Sequence, residues 1–92
     1  MNTPLNTPVK IILYTTLGCH LCEQALHLLQ HAQQAQQTQG RDMQIVEVEI
    51  AEDDALMERY GIRIPVLRVA DAELGWPFNS EGLEQFLNNL ST

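Results

Sequence analysis

The chain has 92 residues, enough for one domain with a modest core and too few for two. Its 45% hydrophobic content is ordinary for a globular protein, whereas its formal net charge of −7 argues against nucleic-acid binding and against attraction to anionic membranes. No apolar run approaches the ~20 residues of a membrane span. We therefore expect neither nucleic acid nor a membrane among its partners.

The first eight residues have neither the basic start nor the apolar middle of a secretory signal. Their repeated Asn-Thr-Pro predicts a flexible lead-in over residues 1–8, followed by a single domain over residues 9–92. Without an export signal the expected location is the cytoplasm. In that compartment a pair of cysteines is more often catalytic or metal-binding than a structural disulfide.

The next stretch joins a strand to a long helix. Val9 to Tyr14 is nearly all apolar and predicts a strand buried on both faces, and a helix is predicted from Leu21 to about Gln39. The only two cysteines, Cys19 and Cys22, lie at the junction. If Cys19 caps the helix, the two sulfurs point the same way, and the free N–H groups of the first turn favour the Cys19 thiolate. The spacing indicates a dithiol redox motif.

The predicted first helix carries an apolar stripe and a glutamine-rich end. The stripe consists of Leu21, Cys22, Ala25, Leu26, Leu28, Leu29 and Ala32. Six of the ten residues from Gln30 to Gln39 are glutamine, which predicts a solvated end stopped by Gly40.

The middle of the chain predicts an edge strand and a short helix. Met43 to Ile50 alternates apolar residues with Glu47 and Glu49, which predicts a half-exposed strand whose carboxylates form a solvated face. A short helix capped by Asp53 or Asp54 follows and ends at Gly61.

The last third predicts two strands and a helix. Residues 62–69 indicate a third strand with a proline near its start, and Asp71-Ala72 a hairpin turn before a short strand near Glu73-Leu74. Asn79 or Ser80 caps a final helix, whose apolar positions are Leu83, Phe86, Leu87 and Leu90. The element order β-α-β-α-β-β-α predicts an α/β domain, with a four-stranded mixed sheet flanked by three helices.

This order, with Cys-x-x-Cys after the first strand and Ile-Pro before the third, resembles the thioredoxin fold of glutaredoxin type. Three stretches, 13–22, 60–67 and 73–78, carry a resemblance to short bacterial glutaredoxin-like proteins that covers roughly residues 9 to 90. The resemblance implies that Cys19 is the attacking nucleophile and Cys22 the resolving thiol. It also implies a cis Ile64–Pro65 bond that places the Ile64 backbone beside Cys19, where it pairs with a substrate strand.

The resemblance further implies a dithiol–disulfide oxidoreductase that acts on protein or small-molecule disulfides. The expected partners are a disulfide-containing protein or a glutathione mixed disulfide, with no tightly bound cofactor, glutathione as a candidate reductant, and a monomeric state. The candidate substrate-binding residues are Gly18, His20, Arg63, Ile64, Pro65 and Trp76. Trp76 is also expected to close the core. Typical glutaredoxins place a basic residue just before the first cysteine, where this chain has Thr16 and Leu17, so we expect weaker glutathione binding.

Two other functions remain open: a non-catalytic binding module, and a metal or iron–sulfur carrier with Cys19 as a ligand in a dimer. Cys19, Cys22, His27 and His31 superficially resemble a zinc ligand set. On one helix, however, the two histidines lie about 140° and 180° around the axis from Cys22. We therefore predict no closed metal site.

Overall fold

The computed structural model describes residues 9–90, so the predicted lead-in over residues 1–8 lies outside the described part. Seven elements follow one another there: β1 Val9–Thr15, α1 His20–Thr38, β2 Met43–Glu49, α2 Asp54–Tyr60, β3 Val66–Val69, β4 Ala72–Gly75 and α3 Ser80–Leu90. The predicted order is confirmed. None of the helices in this part of the chain has the length and apolarity needed to span a bilayer.

The four strands form one mixed sheet in the order β2-β1-β3-β4. β1 runs parallel to β2 and antiparallel to β3, and β3 pairs antiparallel with β4. β2 therefore lies at an edge, as its alternating sequence predicts. The parallel register sets Thr15 opposite Glu49, so the carboxyl ends of β1 and β2 meet where α1 begins.

Both faces of the sheet are covered, as the apolar sequence of β1 predicts. Ile11 and Leu13 are fully buried in a core shared with α1 and α3. The alternate residues Ile12 and Tyr14 contact a second core, which contains Tyr60 of α2. The period-two alternation of a strand thus directs successive β1 side chains into different cores.

The glutamine-rich end of α1 is only partly solvated, so that prediction is wrong at two positions. Gln33 donates to the carbonyl of Met43 at 2.8 Å, and Gln36 is 6% exposed. Gln36 lies two turns beyond the buried Leu29, and this spacing puts it on the same buried side of α1. Beyond the helix, Gly40 supplies the predicted stop with a positive φ of 82°.

β3 begins four residues later than the predicted Ile62. The backbone N–H groups of Arg63 and Ile64 both donate to the carbonyl of Tyr60, at 2.8 and 3.1 Å, instead of to a neighbouring strand. The next residue, Pro65, has no N–H to donate. These local hydrogen bonds therefore hold the segment after α2 in a turn, and the strand cannot begin until Val66.

The helix caps and the hairpin follow the predictions to within one residue. The side chain of Asp53 accepts the N–H of Leu56 at 3.1 Å, and that of Asn79 accepts the N–H of Gly82 at 2.8 Å. These caps fix where α2 and α3 begin. The hairpin turn consists of Ala70 and Asp71, one residue earlier than predicted, with Ala70 at a positive φ of 53°.

Candidate active site

The two cysteines lie where the turn after β1 enters α1. Gly18 has a φ of 79° in this turn, a left-handed conformation that glycine adopts readily. Cys19 is extended and caps the helix, and its Sγ accepts a hydrogen bond from the N–H of Cys22 at 3.1 Å. The prediction that Cys19 caps the helix is therefore confirmed. The sulfur occupies the place that a serine or aspartate oxygen usually takes at a helix start.

Cys19 and Cys22 form a disulfide, with 5.2 Å between their Cα atoms. The two sulfurs differ in their surroundings, because Cys19 is half-buried whereas Cys22 is 3% exposed. His20 stands between them in sequence and is exposed. An incoming molecule therefore meets Cys19 first.

An open groove of about 380 Å³ lies beside the disulfide. Its described lining residues are Thr15, Thr16, Leu17, Gly18, Cys19, Cys22, Glu23, Leu26, Glu47 and Glu49. Three of these are carboxylates, and none of the described lining residues is lysine, arginine or histidine. The groove combines a disulfide with a strongly acidic wall.

Glu49 holds the turn in front of Cys19. Its Oε1 accepts the Thr16 hydroxyl at 2.7 Å and the N–H of Ala51 at 2.9 Å, and its Oε2 accepts the N–H of Leu17 at 3.0 Å. The Ala51 N–H, then the Thr16 hydroxyl and the Leu17 N–H, lower the pKa of Glu49 below its usual value. The prediction that Glu49 belongs to a merely solvated face is wrong. Alternation alone could not reveal this, because it depends on the register that sets Glu49 opposite Thr15, directly before Thr16 and Leu17.

The groove unites only some of the candidate residues. Gly18, Cys19 and Cys22 line it, and His20 is next to them in sequence. Arg63 lies elsewhere, with its guanidinium 3.3 Å from a carboxylate oxygen of Glu73. A substrate contact by Arg63 therefore stays a prediction.

Ile64 and Pro65 directly precede Val66, which pairs with Tyr14 of β1, and Trp76 directly follows β4. The Ile64–Pro65 bond is cis, and so is the bond after Trp76. Pro65 is buried and its carbonyl accepts the N–H of Trp76 at 3.1 Å, while Ile64 packs against the second core. Trp76 packs against the first core and contacts Phe78 edge-on, with 5.0 Å between the ring centroids. Trp76 thus closes the core as expected, and the substrate contacts proposed for these residues remain predictions.

No group of three or more His, Cys, Asp or Glu side chains is arranged to hold a metal ion within residues 9–90. α1 is continuous from His20 to Thr38, and His27 and His31 are exposed on it. The superficial zinc motif is therefore spread around the helix.

Comparisons with known proteins show the family to which the chain belongs. The family model described as "Glutaredoxin-like domain (DUF836)" matches residues 10–88. A solved structure from X. campestris, the structural-genomics target XcR50, is 39% identical, with a TM-score of 0.69 over 86% of this chain and 96% of that one. A comparison with curated proteins found no match.

More distant structures are similar in fold alone. Oxidised thioredoxin from Plasmodium falciparum is 16% identical, with a TM-score of 0.64 over 94% of this chain and 84% of that one. A glutaredoxin from Archaeoglobus fulgidus is 20% identical, with a TM-score of 0.54 over 95% of each chain. The match to the glutaredoxin-like family model, together with the disulfide-bonded pair, supports a redox function in general terms. The chain has a thioredoxin fold and belongs to the glutaredoxin-like domain family.

Proposed function

We propose that the protein is a dithiol–disulfide oxidoreductase in which Cys19 attacks and Cys22 resolves. The observation that carries this proposal is the asymmetry of the pair. Cys19 is half-buried at the start of α1 and its Sγ accepts the N–H of Cys22, whereas Cys22 is 3% exposed. A nucleophile must reach its substrate, and a resolving thiol must reach only its neighbour.

The proposed reaction moves two electrons. In the reduced protein the Cys19 thiolate attacks one sulfur of a substrate disulfide, forms a mixed disulfide and expels the other sulfur as a thiolate. Cys22 then loses its proton to solvent and attacks the Sγ of Cys19. The Cys19–Cys22 disulfide forms and the second substrate thiolate leaves, so the substrate is reduced and the protein is oxidised.

Two opposing effects set the pKa of Cys19. The N–H of Cys22 and the free N–H groups of the first turn favour the thiolate, which lowers the pKa. The carboxylates of Glu23, Glu47 and Glu49 in the same groove oppose it by like-charge repulsion. A direct hydrogen bond acts at closer range than exposed charges. We therefore expect the pKa of Cys19 in the reduced protein to lie below the ~8.5 of a free cysteine.

We further propose the substrate and setting that the sequence suggests. The substrate is a disulfide-bonded protein or another mixed disulfide, and a thiol such as glutathione is the candidate electron donor. The chain acts as a monomer in the cytoplasm, with Gly18, His20 and the Ile64 backbone contacting the substrate. The positive φ of Gly18 in the groove supports its part, because it brings bare backbone next to Cys19.

A thiol titration tests the first requirement. After reduction, the rate of alkylation by iodoacetamide is measured between pH 4 and pH 10, with the alkylated residue identified by mass spectrometry. We expect one fast thiol, Cys19, with a pKa below ~8.5, and a Cys22 that reacts slowly because it is buried. Two thiols that both remain protonated above pH 8 would contradict the mechanism.

Trapping tests the second requirement. Cys22→Ser should accumulate covalent disulfide adducts on Cys19, because the resolving step is lost, and mass spectrometry of the adducts names the substrates. Cys19→Ser is the matched control and should trap nothing. Reduction of insulin or of a mixed disulfide that persists in Cys19→Ser would rule out the proposed roles. Stoichiometric metal in the purified protein would favour the carrier, and neither activity nor metal would favour the binding module.

A further inference from the structure

The groove beside the disulfide has a negatively charged wall, which three glutamates form. Glu23 lies in the first turn of α1, while Glu47 and Glu49 lie two residues apart on β2 and therefore on one face of the sheet. All three line the groove together with Cys19. A molecule that reaches the Sγ of Cys19 through this groove passes carboxylates from two different elements.

Three of the five lysine and arginine side chains are engaged away from this wall. Arg59 and Arg63 both pair with Glu73 on β4, at 3.8 and 3.3 Å. Arg68 on β3 donates to the carbonyl of Ala70 at 2.7 Å. β4 is the opposite edge of the sheet from β2. None of the described residues that line the groove carries a positive charge.

Glu49 stays ionised under ordinary conditions. Three hydrogen bonds to its two oxygens hold its pKa below the usual value. The groove therefore keeps a fixed negative charge next to the disulfide at neutral pH.

We propose that this acidic groove makes cationic disulfides the preferred substrates of Cys19, and that it disfavours anionic ones such as glutathione disulfide. Opposite charges across an open groove attract the incoming disulfide and raise its local concentration, whereas like charges repel it. The inference rests on the proposed function, because it takes Cys19 as the attacking sulfur. It adds the substrate class: a disulfide flanked by lysine, arginine or an amine.

The test compares three small disulfides of similar size and different charge. They are cystamine, which carries two positive charges, 2-hydroxyethyl disulfide, which is neutral, and 3,3′-dithiodipropionate, which carries two negative charges. The full chain is fully reduced and freed of reductant. Each disulfide is added in excess at pH 7 and low salt, and the oxidised fraction is followed by acid quenching, alkylation and mass spectrometry. The overall balance is protein dithiol plus disulfide giving protein disulfide plus two thiols.

The rate constants must be corrected for the intrinsic reactivity of each disulfide, because the three leaving thiols differ in pKa. Each rate constant is therefore divided by that of the same disulfide with 2-mercaptoethanol under the same conditions. We expect the normalised value for cystamine to exceed that for 3,3′-dithiodipropionate by about tenfold or more, with the neutral disulfide between them. The ratio should shrink severalfold in 0.5 M NaCl because salt screens exposed charges.

Matched variants show which carboxylates cause the preference for cationic disulfides. Glu47→Gln should reduce the cation-to-anion ratio severalfold, and Glu23→Gln should act in the same direction. Glu58→Gln on α2 removes the same charge outside the described lining of the groove and should leave the ratio unchanged. A change in the pKa of Cys19 would alter all three rates together, so it would not mimic a change in the ratio.

The outcomes separate the two proposals. If the neutral disulfide oxidises the protein normally but the normalised ratio is close to one, or Glu47→Gln and Glu58→Gln shift it equally, the charge selection is wrong and the redox function stands. If none of the three disulfides oxidises the protein, the proposed function itself falls and the selection falls with it.

Discussion

Glu49 shows how a single side chain can organise a redox site without touching a sulfur. Its two oxygens accept three hydrogen bonds, from the Thr16 hydroxyl and from the N–H groups of Leu17 and Ala51. The turn that leads to Cys19 is thereby tied to the end of β2. Loops are usually the most mobile parts of a fold. The turn before Cys19 is instead held by hydrogen bonds to the carboxylate of Glu49.

We expect Glu49→Gln to loosen this turn. Glutamine has one acceptor oxygen where glutamate has two, so at least one of the three donors would face an amide NH₂ group instead. Hydrogen exchange at the Leu17 amide should accelerate by roughly threefold to tenfold in the oxidised protein. Glu47→Gln, two residues earlier on the same face of β2, serves as the control and should leave this exchange rate unchanged. Equal effects of the two variants would show that charge, and not the hydrogen bonds, governs the turn.

At the residue scale, the sequence was sufficient to predict where the two cysteines lie, but it was not sufficient to predict the contacts of the residues around them. Cys19 as cap and Cys22 one turn deeper follow from the helix period and the Cys-x-x-Cys spacing. The role of Glu49 depends on which residue of β1 it faces, and no local pattern encodes the register between two strands. The same holds for Arg63, whose pairing with Glu73 depends on where β4 lies.

At the scale of elements, a cluster of polar and aromatic side chains joins α2 to β4. The Tyr60 hydroxyl donates to Glu73, which also pairs with Arg59 and Arg63. Both guanidinium groups lie over the Tyr60 ring, at 5.4 and 5.5 Å from its centroid. Burial, followed by the bond to Glu73, raises the pKa of Tyr60 to about 12, so its hydroxyl remains a donor at neutral pH.

The same cluster makes stability depend on pH. The Tyr60 hydroxyl, with help from Arg63 and Arg59, lowers the pKa of Glu73. A carboxyl whose folded-state pKa is depressed stabilises the fold above its unfolded value of about 4.3, and this stabilisation is lost as the pH falls through the folded value. Glu73→Gln should therefore lower the free energy of unfolding at pH 7 by about 1–3 kcal/mol, and the difference from wild type should narrow at pH 3.

Urea unfolding at both pH values measures this difference. Glu58→Gln, an exposed position on α2, is the control for the removal of one negative charge from an acidic protein. A gap between wild type and Glu73→Gln that stays constant from pH 7 to pH 3 would contradict the ionic account of the cluster.

The boundaries of helices and strands could be predicted where a local residue type marks them, as a helix cap does. Asp53 and Asn79 cap helices as their residue types predict. The start of β3 was missed, because residues 62–64 have a strand-like composition but the N–H groups of Arg63 and Ile64 donate to the nearby carbonyl of Tyr60. The burial of Gln36 was missed for a different reason, because its polar side chain outweighed the helical spacing that puts it on the same side of α1 as Leu29.

For the whole molecule, an excess of negative charge should oppose the compact state. Twelve acidic residues face five basic ones, and three of those five are engaged around β3 and β4. Exposed ion pairs contribute little, so self-repulsion should outweigh them. We expect the thermal unfolding midpoint to rise by a few degrees between 20 mM and 300 mM NaCl, because salt screens the repulsion.

The double variant Glu58→Lys/Glu84→Lys provides the comparison, because it makes the net charge less negative by four at two exposed positions. Its midpoint should respond less to salt. A wild-type midpoint that falls with added NaCl would mean that the ion pairs around Glu73 dominate instead.

The acidic groove also makes one edge of the sheet electrostatically different from the other. Three carboxylates line the groove beside the disulfide, whereas Arg59 and Arg63 pair with Glu73 on β4, at the opposite edge of the sheet from β2. A concentration of like charge on one part of a surface biases how a molecule turns in a field before any contact is made. On a positively biased electrode the protein should adsorb with its disulfide toward the metal, and a negative bias should turn the disulfide away. The same orientation would let a cationic protein partner meet Cys19 first without searching the whole surface.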